Sequence, residues 1–270
     1  MSDSAAEPMP ERAQFRNSRG LRMVADHYAA ESDAVVVMAN DLRTHKRWRG
    51  RYPRISRDLN ARGIAALAFD YCGCGESDDD SLRTDKLAED VRSAVSEARR
   101  LGYRRVALWG HGLLAYVCIE AEVADMATMV LSAPATASMK FDWNVEFAPE
   151  EMAALEATGR MTVPSYDAEV RVSQVIEATL LRDIAEVDQV ARIGKLRCPV
   201  LLINGNNAAN VAECARLEGN RRGEHLLPAG SKLHVIEGAN HGFAEHLEEL
   251  SRVGADWLAR RMNADKPDAA

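Results

Sequence analysis

Short, uninterrupted apolar runs constrain this chain more than anything else in it. Ala34–Ala39 reads AVVVMA, and runs of similar length recur at Ile64–Phe69, Val106–Trp109, Thr128–Leu131, Val200–Ile203 and Leu233–Ile236. Four to six residues is strand length, and continuous rather than alternating apolar character means burial on both faces, as in a parallel sheet. Amphipathic stretches separate the runs. The clearest is Thr84–Leu101, with Leu87, Val91, Val95, Ala98 and Leu101 on one face and charges opposite. Strand and helix in alternation predict an α/β fold with a doubly wound, mostly parallel sheet.

One interval breaks the rhythm. From Pro134 to Arg197 no strand-like run is visible, although Phe141, Trp143, Phe147, Met152, Leu155, Met161 and Tyr166 fall there. The interval is too long for a bare loop, so helices of its own are expected. Placed after a central strand, it would lie over the carboxyl ends of the sheet, where open α/β folds bind ligands. The expected organisation is a disordered segment at 1–11, a core at 12–133 and 198–263, and a helical cap at 134–197. An ordinary helical insertion filled with core aromatics is the alternative.

Length and charge exclude several function classes. The chain has 270 residues, enough for one large domain, and a net charge of −7. No basic field is available for nucleic acid or an anionic membrane. No apolar run approaches the roughly 18 residues of a spanning helix, and the first residues lack the plan of a secretory signal. Five cysteines between Cys72 and Cys214 are not a disulfide framework at this size. A cytoplasmic protein acting on a small molecule or peptide is expected, with a homo-oligomer left open.

Four motifs in order then become specific. DYCGCGESD, from Asp70, resembles the D-x-R-G-x-G-x-S loop of α/β-hydrolases, with Asp70, Gly73, Gly75 and Ser77 matching and Cys72 in place of the Arg. RRVALWGHGLLAYVCIE looks like their strand, nucleophile elbow and helix. CPVLLINGNNAANV is similar to the strand and loop that carry the catalytic acid, and LHVIEGANHGF to the segment that carries the catalytic His. The resemblance runs from Val35 to Met262 and is closest to the serine-aminopeptidase and feruloyl-esterase-like branch. It implies an α/β-hydrolase fold with a cap inserted after a central strand.

The departures bear on function more than the matches do. The elbow pattern G-x-S-x-G sets a nucleophilic hydroxyl on a strained turn. Here it reads Gly110-His111-Gly112-Leu113-Leu114, so Gly112 holds the nucleophile position without a side chain. The acid position falls on Ala208, and the early His-Gly of the family aligns with Asn40-Asp41. Of the triad positions only His241 keeps its residue type. Glycine tolerates positive φ, so the turn can persist while acyl-serine chemistry is lost. The resemblance also implies oxyanion-type backbone donors at Leu42 and Leu113, which would serve an enolate oxygen as well as a tetrahedral one.

The candidate site therefore centres on His241 as a general base, with Asn40, Asp41, His111 and Trp143 lining a pocket over Gly112. Asn207 and Asn210 are the residues at hand to fix the His241 tautomer. Asp41 reads as a base, an amine anchor or a solvated turn residue, and His111 as a structural residue. A deep cavity suited to a bulky, mostly hydrophobic ligand with few polar anchors is expected. No cofactor is implied. No metal is expected either: His225, His234, His241 and His246 lack ligand spacing, and Cys72 and Cys74 lack a second pair.

Three functions fit these residues. The first is a cofactor-free isomerase or epimerase abstracting a proton α to a carbonyl on a peptide or natural product. It would be akin to the atypical peptide epimerase of the bottromycin pathway, which shares the fold, the cap and the lost triad. The second is an inactive pseudo-hydrolase that binds a small molecule or peptide. The third is a residual hydrolase with a relocated nucleophile such as Cys72.

Overall fold

The computed structural model describes residues 9–263. In chain order it contains β1 (Glu11–Arg16), β2 (Arg22–Tyr28), β3 (Ala34–Ala39), α1 (Arg51–Asn60), β4 (Ala65–Phe69), β5 (Ser81–Leu82), α2 (Thr84–Arg100), β6 (Arg105–His111), α3 (Val117–Glu120) and β7 (Met129–Ser132). There follow α4 (Trp143–Glu146), α5 (Pro149–Thr158), β8 (Arg160–Pro164), β9 (Ser173–Glu177), α6 (Ala178–Ala185) and α7 (Gln189–Ile193). The chain closes with β10 (Val200–Gly205), α8 (Val211–Gly223), β11 (Lys232–Ile236) and α9 (Leu247–Met262).

The main sheet runs in the order β1-β2-β4-β3-β6-β7-β10-β11. From β4 to β11 every pairing is parallel, and β2 runs antiparallel to β1 and β4. Strand β3 shows why the apolar runs are continuous. Val35, Val37 and Ala39 face one hydrophobic cluster with residues of α2 and α3, while Ala34, Val36 and Met38 face another with residues of α1 and α9. Both faces of the sheet are covered, so both phases of the strand must be apolar. Each fully buried valine or leucine in such a layer contributes about 1.5–3 kcal/mol. This is the α/β-hydrolase fold.

Two expectations are corrected. The segment between β7 and β10 is not helical throughout: β8 and β9 pair antiparallel, and β5 joins β9 to make a second, three-stranded sheet. Only Met161 and Val163 of β8 are buried, so the strand shows one apolar face over five residues and leaves little signal. At the start of the chain, Glu11 opens β1 rather than belonging to a disordered segment, and residues 1–8 lie outside those described. Among the described residues no helix is long and apolar enough to cross a membrane.

Candidate active site

The chain passes from β3 to β4 on one side, then to β6 on the other, so the neighbour order reverses at the β3–β6 pair. Such a switch point opens a crevice at the carboxyl ends of the strands. The register pairs Ala39 with Gly110. Two residues further along each strand stand Asp41 and Gly112, and they meet. Gly112 has φ +69°, and a Cβ there would lie 2.7 Å from Asp41 Oδ1 and closer still to Oδ2 and Cγ. The Asp41 carboxylate thus fills the room that a side chain at position 112 would need.

Three hydrogen bonds hold that carboxylate. Its Oδ1 accepts from the Leu42 N–H at 2.8 Å and the Leu114 N–H at 3.2 Å, while Oδ2 lies 3.1 Å from His241 Nε2. Two sequence expectations change here. Leu114 supplies a backbone donor at the elbow in addition to the expected Leu113, which lines the cleft, and Leu114 and Leu42 are occupied by a carboxylate rather than open to substrate. The space that a side chain at position 112 would leave on the floor is taken by the Asp41 carboxylate.

Asp41 is held by its loop. Its N–H donates to Thr44 Oγ1 (3.1 Å), and the Thr44 hydroxyl donates back to Asp41 O (2.8 Å). Asn40, expected to line the pocket, is buried beneath it, where Nδ2 donates to the carbonyls of Asp41 and Thr44. Lys46, also buried, donates to Asp70 Oδ2 at 2.7 Å, which ties the loop to the Asp70–Ser77 motif. Arg43 fastens the same loop to the second sheet through Gln174 Oε1 and Pro164 O.

His241 follows β11 and is partly exposed. Its Nδ1 is buried and has no partner. In a serine triad, Nε2 faces the nucleophile and Nδ1 faces the acid. Here the one carboxylate on the ring among the described residues is on the Nε2 side. Ala208 is exposed, and the asparagines do not replace an acid. Asn207 Oδ1 accepts from the Ala209 N–H, and Asn210 Oδ1 caps α8 at the Glu213 N–H.

His111, at the end of β6, lines the cleft as well as packing in the fold. Its ring centre lies 5.5 Å from that of His241, and its Nδ1 lies 2.9 Å from Ser132 Oγ. Burial, reinforced by the positive charge of Arg51, holds its pKa well below the usual histidine value, so the ring is neutral near pH 7. The Ser132 hydroxyl also accepts from Trp109 Nε1 and lies 3.3 Å from Gly110 O.

Above these groups lies a cleft of about 380 Å³. Trp143 lines it as expected, with Phe141 stacked on Trp143 at 4.5 Å and Tyr166 stacked on Trp48 at 5.8 Å. The expectation of few polar anchors is wrong. Arg43, Arg49, Arg51 and Arg216 all line the cleft. No spacing in the sequence marks them, because they come from the loop after β3, from the start of α1 and from α8.

Asp41, His111 and His241 bring one ligating atom each within 4.8 Å of one another, a cluster that the sequence, separating them by 70 and 130 residues, did not disclose. Two histidines and a carboxylate suit a zinc-like ion in donor type. The fit is otherwise poor. Arg51 and Arg216 set a positive field at His111, and the His241 Nδ1 lacks the hydrogen-bonded partner that a metal-bound imidazole ordinarily has.

The replacement-thiol reading is not supported. Cys72 is buried and takes a hydrogen bond from Asn17 Nδ2, and burial, with Asp90 nearby, pushes its thiol pKa far up. No histidine contacts it among the described residues, so it has no base.

Comparison with known proteins agrees with this architecture. The family model described as serine aminopeptidase, S33, matches residues 30–192, more than half of the chain. None of the curated proteins is a sequence match. Among solved structures, the α/β-hydrolase GrgF from Penicillium sp. sh18 superposes with TM-score 0.72 at 17% identity, covering 94% of this chain and 99% of that one. DcsB in complex with its substrate analogue gives TM-score 0.74 at 14% identity, with 94% and 99% covered. Est1E from Butyrivibrio proteoclasticus with ferulic acid bound gives 0.71 at 17%, with 93% and 99% covered. At these identities the likeness shows the fold alone.

Proposed function

This chain belongs to the serine aminopeptidase (S33) family of α/β-hydrolases, and from that premise we propose that its cleft performs cofactor-free proton transfer α to a carbonyl. The reaction class is an isomerisation or epimerisation of a peptide or natural-product ligand rather than acyl transfer. One observation carries the reading: where the family's nucleophile would stand, there is a fixed carboxylate, Asp41, on His241 Nε2. A carboxylate attacking an ester would form an anhydride, a poor intermediate, whereas the same oxygen is a competent base.

The proton inventory is simple. Asp41 Oδ2 takes the Cα proton, and the electron pair moves onto the carbonyl oxygen as an enolate. His241 Nε2–H, hydrogen-bonded to Asp41, orients the base. His111 is neutral, and the shorter of the two acceptor contacts open to the Ser132 hydroxyl is to its Nδ1, leaving Nε2–H as a donor for the enolate oxygen. Return of the proton from Asp41 to the same face restores the ligand, whereas a proton from a water molecule on the opposite face of the planar enolate inverts its centre, the proton held by Asp41 then passing to solvent.

A second reading, a binding protein without turnover, is favoured by one fact: the backbone N–H groups of Leu42, in the loop after β3, and of Leu114, at the elbow, are already taken by Asp41. Deuterium exchange separates the two. Peptides and acyl compounds that bind the protein are incubated in D₂O, and Cα deuteration is followed by mass spectrometry. Exchange should appear, and Asp41→Asn should lower it by about 10²–10⁴, the usual worth of a positioned base. Bound ligands with labile centres that never exchange would leave the binder. A stoichiometric fluorophosphonate adduct, or ester turnover above about 1 s⁻¹, would overturn both.

A further inference from the structure

We infer that Arg51 is the anchor for an anionic group, so that the ligand of this cleft is a carboxylate carried on an aromatic or apolar body. The inference deepens the reading above by naming the class of substrate, and it rests on the cleft being where the ligand sits. Arg51 opens α1 and is 5% exposed, yet its side chain reaches the cleft beside His111 and His241. Its Nη2 donates to Gly242 O at 3.0 Å, while its Nε is buried with no partner. It makes no ion pair among the described residues. Asp41 is felt only through space, its two oxygens already being engaged.

A buried guanidinium without a carboxylate is costly, because desolvation of the charge is not returned by a partner. The cost is recovered if a ligand brings the carboxylate, and the planar fork suits one. The surroundings point the same way. Arg216 also lines the cleft with its Nε unpartnered, although its Nη1 pairs with buried Glu213 at 2.8 Å. Around the cleft, four guanidiniums stand against the carboxylates of Asp41 and Glu146, in a chain whose net charge is −7. The walls are Trp48, Phe141, Trp143 and Phe147, so an apolar body is accommodated between the cationic floor and the aromatic rim.

The test uses a matched pair of probes, 4-phenylbutyrate and 4-phenylbutyramide, titrated into the full chain by isothermal calorimetry. The acid should bind at least about tenfold more tightly than the isosteric amide, since ligand charge on a buried, unpaired guanidinium is worth a charge-assisted hydrogen bond. Arg51→Gln should erase the preference, and Arg51→Lys should restore part of it. Equal affinity for acid and amide in the wild type would overturn the inference without any variant, and so would a preference that survives in folded Arg51→Gln protein. The outcome is separable from that of the proton-transfer reading. Acid preference without exchange leaves the anion site standing, and exchange on neutral ligands without acid preference removes the site alone.

Discussion

Restoring the family's nucleophile should damage this protein rather than revive it. In Gly112→Ser the new Cβ falls within 3.0 Å of three atoms of the Asp41 carboxylate, nearer than real Cβ atoms come to other groups. The backbone at φ +69° adds the left-handed penalty of about 1–2 kcal/mol for a residue with a Cβ. Asp41 must then swing away from the Leu42 and Leu114 N–H groups, two charge-assisted bonds worth about 1.5–3 kcal/mol each net of hydration. With one of the two kept by the displaced carboxylate, the net loss including the backbone penalty is about 3 kcal/mol. In a chain of this size that is roughly 6–9 °C in Tm. Gly112→Ala should lose as much, because the clash belongs to Cβ and not to the hydroxyl. In an Asp41→Ala background Gly112→Ser should cost only the backbone penalty. Thermal denaturation of the four proteins of this cycle therefore yields a coupling of about 2 kcal/mol. Ester hydrolysis should stay absent in the single variant. An unchanged Tm for Gly112→Ser, or additive effects in the cycle, would refute the placement of Asp41 in the nucleophile's space.

Two further outcomes follow from burial. Ellman's reagent should titrate one thiol of five in the native protein, the exposed Cys214, since Cys72, Cys74, Cys118 and Cys198 are buried and burial pushes Cys118 up to about 12 and Cys198 to about 11; two or more fast thiols would contradict the packing. His111 binds a proton near pH 6.5 when unfolded and far less readily when folded. Its contribution to stability is therefore complete above pH 6.5 and lost as the pH falls below it. Urea unfolding between pH 7 and 5.5 should show that slope, and His111→Gln should flatten it; an unchanged slope would place the proton elsewhere.

What the sequence disclosed, and what it did not, divides along one physical line. The strand run Ala34–Ala39 is β3 to the residue, and Thr84–Leu101 is α2 but for its last position, because periodicity and two-sided burial are local and leave local marks. The edge strand β1 and the pair β8 and β9 leave little mark, since one-sided strands carry few apolar residues, and β2, although buried from Met23 to Tyr28, is broken by Asp26 and His27 and so shows no continuous apolar run. At the site, Gly112, His111 and His241 were legible through the motifs, but the occupant of the nucleophile's space was not. Asp41 reaches Gly112 only because Ala39 pairs with Gly110 across two strands separated by about seventy residues of chain. Arg51 left no mark at all, its meaning being that its neighbours lack a carboxylate.

The register also joins three departures that look separate in the sequence. With no Cβ at position 112, the Asp41 carboxylate can lie on the elbow and take both backbone N–H groups. Once there, it meets His241 on Nε2, the nitrogen that would otherwise serve a serine hydroxyl. An aspartate at position 208 facing Nδ1 would then set two carboxylates on one imidazole. Alanine at 208 leaves the ring a single carboxylate and leaves Nδ1 without a partner. On the proposed assignment of positions 112 and 208, Gly112, Asp41 and Ala208 are consistent with one another as a single arrangement, in which the carboxylate stands on the Nε2 side of the histidine, where the proposed reaction has it act on the ligand itself.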